Sequence, residues 1–453
     1  MSKIENILME SVVKSWFFDA DDISKAKKMN RYAVEFMITP NCSKSCSYCY
    51  IQKHREYLYP DNIINNDIII SNMRSFLNYL KLNKKVVPMI DLFSGEIWGE
   101  DFGYQILNTL LEFAKEYKYT EYISMATNMD FLFTENGEKW MDYFIDEFSK
   151  LGVRMNISAS IDGALLEQTY RPQNKNYEID ISYDSSYYDK IFSFQSRHGF
   201  GLHPMVYSKN CKYWCENFDW FMDMSKKYYG YYKEPMMLEV RDNNWSEEDI
   251  EYYKKFLLHT IKFRYEKICN SDNAAFAQYL CRIRSYRKLG NNNIGIYTYN
   301  HKLNCTIPKT IFIRLGDMAI IPCHRTAYPD NIYGYMNIDG KNMNITANNF
   351  KLMLNVIGTK PNNDYPKCKD CIYKKLCLKG CLGSQYETNK NMFVPCDTVC
   401  NMYKAKINLL VDVYTSMGIY DILKEFPETK YIVDIVEEFK NKRIMSGDIS
   451  DIK

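Results

Sequence analysis

Three cysteines, Cys42, Cys46 and Cys49, stand in the short stretch "ITPNCSKSCSYCYIQK" near the start of the chain. Thiolates are strong, soft ligands, so a C-x3-C-x2-C spacing points to a metal. The neighbours Asn41, Ser43, Lys44, Ser45 and Ser47 make this a polar loop, which argues against three cysteines packed as small hydrophobes. A zinc knuckle needs a fourth ligand, for which His54 is the nearby candidate. An iron–sulfur cube, [4Fe–4S], held by three thiolates instead leaves one iron open, a coordination site for a substrate or cofactor.

A second group of thiols lies towards the carboxyl end. Cys305, Gly316 and Cys323 are followed by C-x2-C-x5-C-x3-C through Cys368, Cys371, Cys377 and Cys381, then by Cys396 and Cys400. Alone, that four-cysteine run would also suit a zinc ribbon. The chain has 15 cysteines, and in a reducing compartment their clustering indicates metal or redox chemistry and not disulfides. Cys211, Cys215 and Cys269 fall on expected helices and read as packing residues.

Such ligands must be held by a scaffold. Between residues 31 and 270, short apolar or β-branched runs alternate with longer amphipathic ones, the pattern of βα units. The expected strands are "AVEFMI" (33–38), "VPMIDLF" (87–93), "YISMAT" (122–127), "RMNISASI" (154–161), "GLHPMVY" (201–207) and "PMMLEV" (235–240). Trp140, Met141, Phe144, Ile145, Phe148 and Leu151 mark a helix that Gly152 stops, and Ser246 is an N-cap for a helix opening with acidic residues. The fold class expected is α/β, a partial (β/α)6 TIM-like barrel followed by a small loop-rich metal-stapled domain, an iron–sulfur domain by the resemblance given below, and C-terminal helices. The division expected is an N-terminal extension (1–30), the partial barrel (31–270), a bridging region (271–304), the cysteine-rich domain (305–403) and a helical tail (404–453).

Composition narrows the function. Lys plus Arg (58) nearly balance Asp plus Glu (56), so no single-sign field favours nucleic acid or an anionic membrane. The first thirty residues hold no signal sequence, and no run approaches the roughly eighteen apolar residues of a membrane helix. A cytoplasmic protein is expected.

The order of motifs resembles the radical S-adenosylmethionine (radical SAM) superfamily. The Cys42/Cys46/Cys49 loop follows the first strand, with aromatic Tyr48 before the last cysteine. In "DLFSGEIW", Glu96 matches the carboxylate that binds the methionine ammonium group, although Ser94 and Ile97 depart from the family's Gly-Gly-Glu-Pro. "ATNM", with Asn128, falls where a Thr-Asn pair lines the cofactor pocket; Ser160 in "ISASIDG" matches the cofactor-contacting serine; Arg171 in "TYRPQ" is a further candidate for a cofactor carboxylate contact. The later cysteines resemble the SPASM domain, which carries two auxiliary [4Fe–4S] clusters. By that resemblance Cys368, Cys371, Cys377 and Cys396 hold one cluster and Cys305, Cys323 and Cys381 the other. The fourth position of the second set is either filled by a residue such as Cys281 or Cys400 or left open.

The resemblance implies three [4Fe–4S] clusters and S-adenosylmethionine, split reductively to a 5′-deoxyadenosyl radical that abstracts hydrogen from an unactivated C–H bond. It implies oxidative modification of a peptide or protein substrate, such as thioether or carbon crosslinking of a ribosomally made peptide, with an electron donor such as flavodoxin or ferredoxin. Formylglycine formation in sulfatases is the alternative. There, an aspartate usually follows the cysteine at the Cys323 position as a base, and His324 stands in its place in "PCHRT". Only 41 residues precede Cys42, too few for a winged-helix leader-binding module, so a leader-bearing substrate is expected to be read by a separate leader-binding protein or by the barrel and its N-terminal extension.

Overall fold

In the computed structural model, residues 3–29, 31–93, 95–97, 102–177, 181–286, 307–357, 365–377, 380–426 and 429–446 are described. The chain falls into two compact units, Met1–Pro204 with Ile307–Gly358, and Met205–Thr306 with Thr359–Lys453. The 31–270 and 305–403 segments are each shared between them.

Among the described residues twelve strands occur: β1 (Phe18–Asp19), β2 (Ala33–Met37), β3 (Lys85–Phe93), β4 (Thr120–Thr127), β5 (Arg154–Ala159), β6 (Gly201–Leu202), β7 (Met205–Val206), β8 (Leu238–Glu239), β9 (Thr310–Arg314), β10 (Ala319–Ile321), β11 (Gly334–Asp339) and β12 (Asn342–Ala347). In the first unit β2 to β6 lie side by side in chain order, all parallel. Parallel neighbours need long crossovers, and helices Asn66–Leu82, Phe102–Glu116, Gly137–Lys150 and Ser185–Arg197 supply them. The α/β class with a parallel sheet is as expected.

The side-chain period of two sorts the sheet's faces. Val34, Phe36, Ile90, Leu92, Ile123, Met125 and Ile157 are fully buried, and Phe36 meets Phe76 of the first crossover helix edge-on at 5.3 Å between ring centroids. The alternate positions Asp91, Phe93 and Ser124 are half-buried and Asn156 is exposed. One face is therefore apolar and sealed by helices, while the other is mixed and opens towards β5: Asn156 is exposed, whereas Ala33, Glu35 and Met37 on β2 are buried.

Two features depart from the strand pattern expected. The 201–207 run is broken at Pro204, which cannot donate to a ladder; β7 beyond it pairs in parallel with β8, all that remains of the 235–240 strand, in the second unit. On the other side of the large sheet β9, which no sequence period marked, runs parallel to β2 and continues antiparallel through β10, β11 and β12.

The second unit is mainly helical. Helix Glu247–Phe263 opens on a capping box in which Ser246 and Asp249 satisfy each other's backbone N–H groups. Phe276, Tyr414, Val433, Val436 and Phe439 belong to its apolar core, which the tail helices Asp397–Ser416, Ile419–Lys424 and Lys430–Met445 complete. Of the bridging region, helix Asn273–Tyr286 is described and residues 287–304 lie outside the described residues. No described helix is long and apolar enough to cross a membrane.

Candidate active site at the carboxyl ends of the strands

The loops after β2, β3, β4 and β5 are stitched to one another. Gly95 N–H donates to Thr39 O and Glu96 N–H to Asn41 O, both at 2.7 Å. A Cβ on Gly95 would stand 2.3 Å from Asn41 O and 2.6 Å from Pro40 O, so only glycine allows this approach. It sets Glu96 beside the cysteine loop. The Glu96 carboxylate, almost fully buried, accepts from Thr127 Oγ1 (2.9 Å) and Asn128 N–H (2.6 Å). The Asn128 side chain donates to Ser43 Oγ at 2.7 Å, and Ser43 bonds Asp130, which pairs with the fully buried Lys44 at 3.1 Å. Burial works to lower the Lys44 pKa, but Asp130 and Tyr183 hold it above its ordinary value.

The cysteine loop rests on residues 170–174. Ser45 N–H donates to Pro172 O, Ser47 N–H to Tyr170 O and the Asn174 side chain to Cys42 O, and Lys44 bridges Gln173 as an isolated antiparallel pair. Arg171 is buried there, not at the surface. Its Nε donates to Glu167 (2.9 Å), one terminal nitrogen to Tyr48 OH (3.1 Å) and the other to Ser160 O. Tyr48 OH in turn donates to Asp162 at 2.7 Å, and Ser160 N–H donates to Thr127 O at 2.7 Å. Burial alone would depress the guanidinium; Cys46, Tyr48, Glu167 and Asp162 raise it well above its ordinary value.

Burial pushes the Cys42 thiol well up, with Cys46 and Glu96 adding to it, and pushes Cys46 to about 12 against the pull of Arg171. Cys49 is raised for the same first reason. Without a metal these thiols stay protonated, whereas a coordinating cation removes the protons outright. Lys44 N–H, 3.4 Å from Cys42 Sγ, and the Arg171 charge are groups that favour sulfur as thiolate. The donor set therefore suits a thiolate-bound cluster. Among the described residues no three Cys, His, Asp or Glu groups converge as on a single ion. A cube needs no such convergence, because each thiolate has its own iron.

On the open face a polar row crosses the sheet, with Glu35, Asp91, Ser124 and Asn156 in register on β2, β3, β4 and β5. His324 Nδ1 lies 2.5 Å from Glu35 Oε1, and its ring stacks on Phe93 at 3.9 Å between centroids. Burial, then the Glu35 charge, raises the Asp91 carboxyl to about 8. Lys44, Asp130, Glu167, Asp162, Glu35 and Asp91 were not picked out from sequence as site residues. For the last two a signal existed, a carboxylate inside an otherwise apolar strand.

Cys323 is buried in the first unit, where Thr326 Oγ1 donates to its sulfur at 3.4 Å. Cys368, Cys371, Cys377 and Cys381 are half-buried and Cys396 is buried in the second. Cys305 lies outside the described residues, as does the side chain of Cys281.

No family model matches the chain, and no curated protein does. Solved structures do. Native anSMEcpe with bound AdoMet superposes with a TM-score of 0.56 at 15% identity, covering 85% of this chain and 100% of that one. Native anSMEcpe with bound AdoMet and Cp18Cys peptide gives 0.55 at 16%, covering 85% and 99%. Native anSMEcpe with AdoMet and Kp18Cys peptide gives 0.54 at 14%, over 85% and 99%. At such identity the likeness speaks for architecture, and the chain shares the fold of those structures.

Proposed function

We propose that this chain is a radical SAM enzyme that oxidatively modifies a peptide or protein, forming a thioether or carbon crosslink in a ribosomally made peptide. The observation that carries the reading is the joining of the Cys42/Cys46/Cys49 loop, Glu96 and the Tyr48–Arg171–Ser160 network at the carboxyl ends of adjacent parallel strands. Support comes from the shared fold with anSMEcpe, an anaerobic sulfatase-maturating enzyme whose structures contain AdoMet and peptides.

In this reading Cys42, Cys46 and Cys49 hold a [4Fe–4S] cluster that, when bound, supplies the electron for reductive cleavage of S-adenosylmethionine. Glu96 receives the methionine ammonium group, a charge-assisted contact that Thr127 and Asn128 orient by fixing one carboxylate oxygen. Tyr48, Asn128, Ser160 and Arg171 line the cofactor. Two further clusters are assigned to the later cysteines. The open face of the sheet, with Phe93 and His324, receives the substrate, and a flavodoxin- or ferredoxin-type protein supplies electrons.

Formylglycine formation is the second reading. The Glu35–His324 contact favours it, since a carboxylate that orients an imidazole suits that ring to accept a proton. The two readings separate by mass spectrometry of peptides treated anaerobically with enzyme, S-adenosylmethionine and reductant. Crosslinking removes two hydrogens and keeps sulfur; formylglycine formation at cysteine removes sulfur. S-adenosylmethionine turnover with every peptide unchanged would contradict both. A zinc-stapled binding protein without catalysis predicts zinc and no sulfide.

A further inference from the structure

Helix Asp397–Ser416 begins after Cys396 and carries Cys400 one turn in, with Cys400 N–H donating to Cys396 O at 2.9 Å. The two sulfurs have different surroundings. Cys396 Sγ donates towards the preceding helix, to Thr388 Oγ1 at 3.2 Å and Ser384 O at 3.4 Å. Cys400 instead belongs to the helix face laid along the loop of Cys368, Cys371 and Cys377. Lys367 pairs with Asp397 and ties the start of that loop to the first helical residue. Further along, the Lys404 ammonium lies 5.8 Å from the Tyr373 ring centroid, Asn408 donates to Tyr373 OH at 3.1 Å, and Ile407 shares an apolar core with Tyr373 and Leu376. Positions 400, 404, 407 and 408 recur at the three- and four-residue spacing of one helix face.

The electrostatics agree with that placement. Burial raises the Cys400 thiol first, and Cys368 raises it further. Cys400 is also half-buried, as Cys368, Cys371 and Cys377 are.

We propose that Cys400, and not Cys396, is the fourth thiolate of the Cys368/Cys371/Cys377 set. The assignment rests on the iron–sulfur reading above and takes Cys400 away from the Cys305/Cys323/Cys381 set.

The test compares anaerobically reconstituted wild type, Cys400→Ala and Cys396→Ala by iron and sulfide content and by EPR of the reduced proteins. The expected result is a loss of about four of about twelve irons in Cys400→Ala, with the count retained in Cys396→Ala. If both alanine variants lose iron, the serine variants decide. An altered EPR spectrum for Cys400→Ser beside an unaltered one for Cys396→Ser upholds the assignment, and the reverse overturns it. Full iron in Cys400→Ala overturns it whatever Cys396→Ala shows. A wild type without iron or sulfide defeats the underlying reading instead, an outcome that the wild-type sample alone reveals.

Discussion

Arg171 shows how much one side chain can fix. Its guanidinium joins Glu167, Tyr48 and Ser160, and so ties the cysteine loop to the segment after β5. Arg171→Ala should lower stability by about 3–5 kcal/mol, because Glu167 is left buried without its cation, and urea unfolding measures this. A change within about 0.5 kcal/mol would show that the network is not a constraint. Asp91 makes a prediction in pH. Its folded pKa of about 8 lies above its ordinary value, so between about 4 and about 8 the folded state keeps a proton that the unfolded chain has released. Stability from this group is present at low pH and is lost as pH rises through that window, by an amount on the order of a few kcal/mol. Asp91→Asn should flatten the loss between pH 5 and pH 8 in urea midpoints; an unchanged slope would mean that Asp91 is ionised throughout. Sequence showed the three cysteines and Glu96, whose chemistry is carried by type and spacing. It did not show Lys44, which is a surface residue on composition alone, because Asp130, its partner, lies 86 positions away and only the fold joins them.

At the scale of elements, the strands with crossover helices were legible because each combines a period-two face with an amphipathic helix. β3, β4 and β5 lie within a few residues of the runs that marked them. β9 was not legible. "TIFIR" is five buried residues whose strand character comes from pairing with β2, a tertiary event that no local period records. The 235–240 run failed for a different reason: Met237 and Val240 are buried but Met236 is exposed, and only Leu238 and Glu239 find a partner strand. Gly95 illustrates how an element's end is tuned for chemistry. The departures at Ser94 and Ile97 leave the glycine that permits contact with Pro40 and Asn41. Gly95→Ala must push Glu96 away from the cysteine loop, and it should weaken S-adenosylmethionine binding by tenfold or more, about 1.4 kcal/mol, in anaerobic equilibrium dialysis. Wild-type affinity in that variant would remove Glu96 from the cofactor site.

For the whole molecule, the separation into a sheet unit and a helical cysteine-bearing unit was readable only in part. The linear order of motifs suggests consecutive domains, whereas each compact unit takes two separate stretches of chain. The central claim concerns the first unit: that the three-thiolate loop holds a cluster with one iron open to S-adenosylmethionine. The most direct measurement is anaerobic incubation of the reconstituted protein with S-adenosylmethionine and dithionite, followed by quantification of 5′-deoxyadenosine. The account predicts 5′-deoxyadenosine from wild type and none above background from a Cys42→Ala/Cys46→Ala/Cys49→Ala variant that retains the remaining iron, about eight atoms. Zinc in place of iron and sulfide with no 5′-deoxyadenosine, or equal amounts from wild type and variant, would contradict it.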